Sequence, residues 1–293
     1  MKHGQHGSQA VAAALLVTVL AAACGGDRMS VTIERKTCRA ADGVELVYSV
    51  AGRGEPALVF VHGGLANRGF WDGQLREFGA HCKVIALDLP GHGESGSDRT
   101  KWGLPEFGAD VKAVVEAEKA DKVILFGNSL GGPVIVEAAL LLGDRALGVV
   151  GVDTFQLLDM TVAPEEVRQR AELFEKDYAG ALRSMVSMLF HKDADPDVVA
   201  DAEKRMSGTP PAAAKAMFLG MTGYEQGASV RRLTVPLRTI NGDLFPTDTE
   251  ANREVRPDFE ALVMTHMGHY PMLERPAEFN RLVAETVAAL TKK

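Results

Sequence analysis

From residue 57 onward the chain returns repeatedly to a short apolar run, unbroken at 57–61, 84–87, 123–126 and 147–152, and restored at 261–264 and, with Arg238 and Thr239 inside it, at 237–240. A strand wetted on one face alternates apolar and polar side chains, whereas a run without alternation is covered on both faces, as in a parallel sheet. The stretches between runs are amphipathic or bounded by glycine and long enough for helices, the rhythm of helices wound about a single sheet. Ahead of them, 31–39 and 44–50 alternate around Asp42-Gly43 and predict an antiparallel hairpin. The expected fold class is therefore α/β, with a mostly parallel eight-stranded sheet. Between about 155 and 230 no strand run occurs and helical patterns take over, which predicts a helical cap inserted into one domain spanning 31–293. A last helix opens at Pro276 and puts Phe279, Leu282, Val283, Val287 and Leu290 on one stripe.

The first thirty residues differ in kind. Lys2 precedes an uncharged run from 10 to 23, rich in Ala, Leu and Val, that ends at Cys24. It falls short of the roughly 20 residues a bilayer span needs and has the length of a signal-peptide core. The string Leu20-Ala21-Ala22-Ala23-Cys24 resembles the end of a bacterial lipoprotein signal. That resemblance implies a signal peptide over 1–23, a linker over 24–30 and an exported, periplasmic or cell-envelope protein. Its membrane contact would run only through a lipid on Cys24; ordinary signal-peptidase cleavage nearby is the alternative. Cys38 and Cys82 then remain, and free thiols are expected. The net charge is −7 and no Lys/Arg cluster forms a stripe, which argues against nucleic acid and for a small neutral or apolar ligand.

Gly127-Asn128-Ser129-Leu130-Gly131 stands between the run 123–126 and a predicted helix over 130–142. A strand that turns directly into a helix leaves no room for β-carbons at the flanking positions, where the two glycines fall. Such a turn exposes the Ser129 hydroxyl at a helix N-terminus, where N–H groups and the helix dipole favour developing negative charge. This setting, more than the string itself, marks a nucleophile elbow.

The elbow resembles that of the α/β-hydrolase family, and the resemblance extends over 31–293. His62-Gly63-Gly64 follows the run 57–61, where that family builds half of its oxyanion hole, which implies the N–H groups of Gly64 and Leu130 as donors. His62 is expected to hydrogen-bond within its own loop. The stretch 88–95 resembles the family's turn after the following strand, with a structural role. Gly268-His269-Tyr270 follows the last run, and His269, Glu274, Pro276 and Phe279 repeat the spacing around the family's catalytic histidine. His269 is thus the expected base, with His266 the nearby rival. The acid must hold the imidazole tautomer from a neighbouring loop, and two aspartates qualify. Asp243 follows the strand that usually supplies the acid, but the usual position holds Phe245. Asp153 ends the preceding strand, as in dehalogenase-like members, and is slightly preferred.

Phe155, Phe245 and Tyr270 lie nearest this site and are expected to line a substrate pocket; the cap's Met160, Met185, Met188, Met206, Met217 and Met221 form either an adaptable apolar pocket or, for most of them, the packing between cap helices. Dehalogenating and epoxide-opening relatives use an aspartate nucleophile, so Ser129 implies acyl chemistry instead. The expected activity is hydrolysis of carboxylic esters of small or medium acyl groups through an acyl-enzyme, with no metal or organic cofactor. Alternatives stay open. The elbow also resembles that of meta-cleavage-product hydrolases, which cut carbon–carbon bonds, although Tyr270 stands where those carry Trp. Aminopeptidase activity would want an acidic pocket. A non-catalytic ligand-binding sensor on the same fold is a further possibility.

Overall fold

Eight strands form one sheet in the order β1-β2-β4-β3-β5-β6-β7-β8 in a computed structural model that describes residues 31–161 and 163–292. The expected signal peptide and Cys24 lie outside the described residues. The strands are β1 (Ile33–Arg39), β2 (Glu45–Ala51), β3 (Ala57–Val61), β4 (Val84–Leu87), β5 (Val123–Asn128), β6 (Ala146–Val152), β7 (Leu237–Gly242) and β8 (Glu260–Met264). The hairpin β1–β2 is antiparallel, β2 runs antiparallel to β4, and β3 through β8 are parallel. Every residue of β3, β4 and β5 is buried, as unbroken apolar runs require, while edge strand β8 leaves Val263 51% exposed. Phe60 and Phe126 stack at 4.8 Å across neighbouring strands, with Trp71 5.0 Å from Phe60.

Register decides what meets at the sheet's carboxyl edge. Val61 pairs with Gly127, Asn128 with Val152, Val152 with Ile240 and Gly242 with Met264. The loops carrying Gly64, Ser129, Asp153, Asp243 and His269 therefore leave one edge side by side, where ligands of open α/β sheets bind.

Helices α1 (Asp72–Phe78), α2 (Leu104–Ala117) and α3 (Gly131–Leu142) cover the sheet together with the long C-terminal helix Pro276–Thr291. That helix buries Phe279, Leu282, Val283 and Val287, with Leu290 partly buried. Between β6 and β7 the cap comprises α4 (Pro164–Lys176), α5 (Tyr178–Leu189), α6 (Pro196–Met206), α7 (Pro211–Gly220) and α8 (Gln226–Arg231). Proline opens α4, α6 and α7, where its missing N–H costs nothing. The sequence placed the cap from about 155, and the structure shows irregular chain there before the first cap helix. Buried Glu137 on α3 accepts from Tyr224 Oη at 2.9 Å and Ser229 Oγ at 2.6 Å, tying the end of the cap to the helix behind the elbow. Cys38 and Cys82 are free thiols.

Candidate active site

Only Ser129 and Leu130 separate the end of β5 from the start of α3. Ser129 adopts φ +51°, a left-handed conformation that residues with a β-carbon rarely take. A β-carbon on Gly127 would lie 2.2 Å from the Gly131 carbonyl oxygen, and one on Gly131 would lie 2.6 Å from that of Val61. The steric demand that the sequence implied for both glycines is thus visible as backbone contact. The neighbouring loop lies against the turn, since a β-carbon on Gly63 would fall 3.2 Å from Ser129 Cβ. Ser129 and Gly64 are half-buried among buried neighbours, so the site opens outward between them.

Among the described residues, the N–H groups of Gly64 and Leu130 have no acceptor, whereas Ser129 N–H donates to Val152 O at 3.2 Å. Two free donors beside one hydroxyl can receive an oxyanion. His62 braces their loop: Nε2 accepts from Leu89 N–H at 3.0 Å, so Nδ1 carries the proton and donates to Gly63 O at 2.7 Å. Complete burial pushes its pKa down to about 4, keeping it neutral.

His269 Nδ1 meets Asp153 Oδ2 at 2.5 Å, and Asp153 Oδ1 accepts from Gly242 N–H at 2.9 Å. Both side chains are buried. Asp153 sits at φ +44°, with its own N–H on Ile240 O at 3.0 Å. Asn241 brackets the next residue, donating to Thr154 O at 3.0 Å and accepting from Thr154 N–H at 3.2 Å. Asn128 Nδ2 donates to Val152 O at 2.9 Å and His269 O at 3.0 Å, linking elbow, acid strand and histidine loop. Sequence reasoning gave these two amides no role; the available signal was a buried polar residue ending an apolar run, which burial requires to be hydrogen-bonded. Among the described residues Asp153 is the only hydrogen-bond partner of the His269 ring. Sites of this kind tighten the nucleophile–base contact when substrate arrives.

Asp243 is exposed and accepts from the backbone N–H groups of His266 at 2.9 Å and Met267 at 3.0 Å, which hold its carboxyl below the usual carboxylate range. Its partner is the turn after β8, not the imidazole. His266 is also exposed, its ring 5.8 Å from that of His191. Phe245 stands 37% exposed with its ring 5.9 Å from and at 87° to that of His269. Tyr270 is buried between Phe70 and Phe190, its hydroxyl 3.8 Å from Met206 Sδ. Phe155 is buried, its ring folded back over Gly151. Of the three expected pocket residues, only Phe245 is exposed beside the imidazole.

A family model described as the alpha/beta hydrolase family matches residues 58–282. The pimeloyl-[acyl-carrier protein] methyl ester esterase of Nitrosospira multiformis is 26% identical, over 80% of this chain and 95% of its own length. The 2-hydroxy-6-oxo-2,4-heptadienoate hydrolase of Pseudomonas putida is also 26% identical, over 85% of this chain and 95% of its own. Among solved structures, a thermophilic esterase from Thermogutta terrifontis superposes with a TM-score of 0.79 at 24% identity, covering 88% of this chain and all of that one; at that identity the likeness speaks for the fold alone.

Proposed function

The chain belongs to the α/β-hydrolase family, and from that premise we propose that it is a serine esterase acting on carboxylic esters of small or medium acyl groups. The observation that carries this reading is the pair of unoccupied N–H donors, on Gly64 and Leu130, beside a serine held at φ +51°. In the proposed reaction His269 Nε2 takes the Ser129 proton as Oγ attacks the acyl carbon. The carbonyl oxygen, now negative, is held by the two donors. His269 then protonates the departing alcohol, and water activated by the same ring releases the acid from the acyl-enzyme. Asp153 fixes the tautomer with the proton on Nδ1 and stabilises the imidazolium.

The methyl ester esterase among the relatives supports the ester reading. The dienoate hydrolase supports a second, carbon–carbon bond hydrolysis by the same residues, although Tyr270 stands where the resemblance to meta-cleavage-product hydrolases implies Trp. Turnover of p-nitrophenyl acetate and hexanoate by the protein and by Ser129→Ala tests the first. A loss of roughly 10⁴-fold or more in kcat is expected; equal rates would overturn it, and dienoate cleavage without ester turnover would favour the second. In the same reading the protein is exported and lipid-anchored at Cys24, supported by the sequence of residues 1–30. Cys24→Ser should move it from the membrane to the soluble fraction.

A further inference from the structure

Helix α7 of the cap brings one side chain against the oxyanion donors. Met217 is 1% exposed, and its Sδ and Cε lie 3.2 and 3.3 Å from the point where Gly64 would carry a β-carbon. Leu130 Cδ2 lies 3.9 Å from the same point. The thioether thus fills the space directly beside the peptide that offers one donor. The side chain of the residue offering the other donor forms the adjoining wall.

The helix behind Met217 is fastened to the body at both ends. Ahead of it, Thr209 Oγ1 donates to Leu65 O at 3.0 Å and Arg205 Nη1 donates to Gly69 O at 2.9 Å, so the cap grips the oxyanion loop itself. At its far end Gly220 packs on the Trp102 backbone, where a β-carbon would fall 2.0 Å from Trp102 O. These contacts hold the helix and leave the Met217 side chain as the adjustable part, unbranched and with three rotatable bonds.

Resting on the ester reading, we infer that Met217 sets the length of acyl group the enzyme accepts. A carbonyl whose oxygen reaches the Gly64 and Leu130 N–H groups puts its first acyl carbons beside the thioether. An acetyl group ends there. Each further methylene must turn Met217 aside or bend away from it, so the protein favours short acyl chains, and the restriction comes from a residue of the cap.

The test is the ratio of kcat/KM for p-nitrophenyl hexanoate to that for the acetate, in the unsubstituted protein, Met217→Ala and Met217→Phe, with folding checked by thermal unfolding. Met217→Ala should raise the ratio by about tenfold, the order that a fitted methylene gives in an apolar pocket. Met217→Phe should lower it by roughly threefold on the same scale, so each variant reads the inference if the other fails to fold. A ratio within about twofold of the unsubstituted value in the folded variants, well inside the effect of one methylene, overturns the role of Met217 and leaves the esterase standing. Absence of any ester turnover by the unsubstituted protein overturns the esterase reading, and this inference with it.

Discussion

Two aspartates at the same sheet edge meet different partners because of what surrounds each carboxylate. Asp153 is buried, takes one backbone N–H from Gly242 and has its other oxygen on the imidazole, while Asp243 is exposed and spends both oxygens on the turn after β8. Asp153→Asn replaces an acceptor by an amide that can donate to His269 and favour the wrong tautomer, so kcat should fall by about 10⁴-fold. Asp243→Asn keeps an acceptor for the turn, and its kcat should stay within about tenfold of the unsubstituted value; steady-state rates with p-nitrophenyl acetate compare the two on that scale. A larger loss in Asp243→Asn than in Asp153→Asn would reverse the assignment. Ser129 was legible as a candidate because its glycine-bounded turn imposes local geometry, and His269 because the spacing around it resembles that of the family's catalytic histidine. The acid was not, since a carboxylate reaches the imidazole from either loop and only register and burial separate the two.

At the scale of elements, the apolar runs fell on the strands almost residue for residue, because burial on both faces writes itself into sequence as loss of alternation. The elbow is set equally locally. Gly127→Ala would press a β-carbon against the Gly131 carbonyl, and calorimetry should show a loss of about 1–3 kcal/mol, several degrees in Tm. An unchanged Tm would mean the turn relaxes freely. The cap's attachment was not legible, since it depends on single contacts between distant segments. Leu189 O accepts from His269 N–H at 2.7 Å. Glu274, whose carboxyl burial raises above its ordinary pKa, accepts from the N–H groups of His191, Gly268 and Tyr270 at 3.2 to 3.3 Å. One carboxylate thus clamps cap and histidine loop together. Glu274→Ala leaves three N–H groups without that acceptor and should cost roughly 1–3 kcal/mol, with a fall in kcat; Glu274→Gln, which retains an acceptor oxygen, should recover part of both.

For the whole molecule, two buried imidazoles set a limit on acid stability. Burial lowers the pKa of His62 to about 4 and of His92 to about 3, from 6.5. The unfolded chain therefore binds more protons than the folded one below about 6.5, and the slope of stability with pH is positive there. Their contribution is complete above pH 6.5, falls progressively below it and is fully lost once pH has passed about 4 for His62 and about 3 for His92. Calorimetric Tm should decline steadily from pH 6.5 to 4, and a flat profile over that window would show that the rings stay solvated. The sequence by itself determined the succession of strands and helices along the chain and the glycine-bounded elbow with its candidate nucleophile, because each follows from local sterics or from burial patterns a few residues long; the candidate base came from its resemblance to the family's histidine motif. Only the tertiary structure decided which aspartate faces His269, which aromatic is exposed beside it and that Met217 lies against Gly64. Those contacts join segments tens of residues apart, and strand register and the seating of the cap, not any short pattern, bring them within reach.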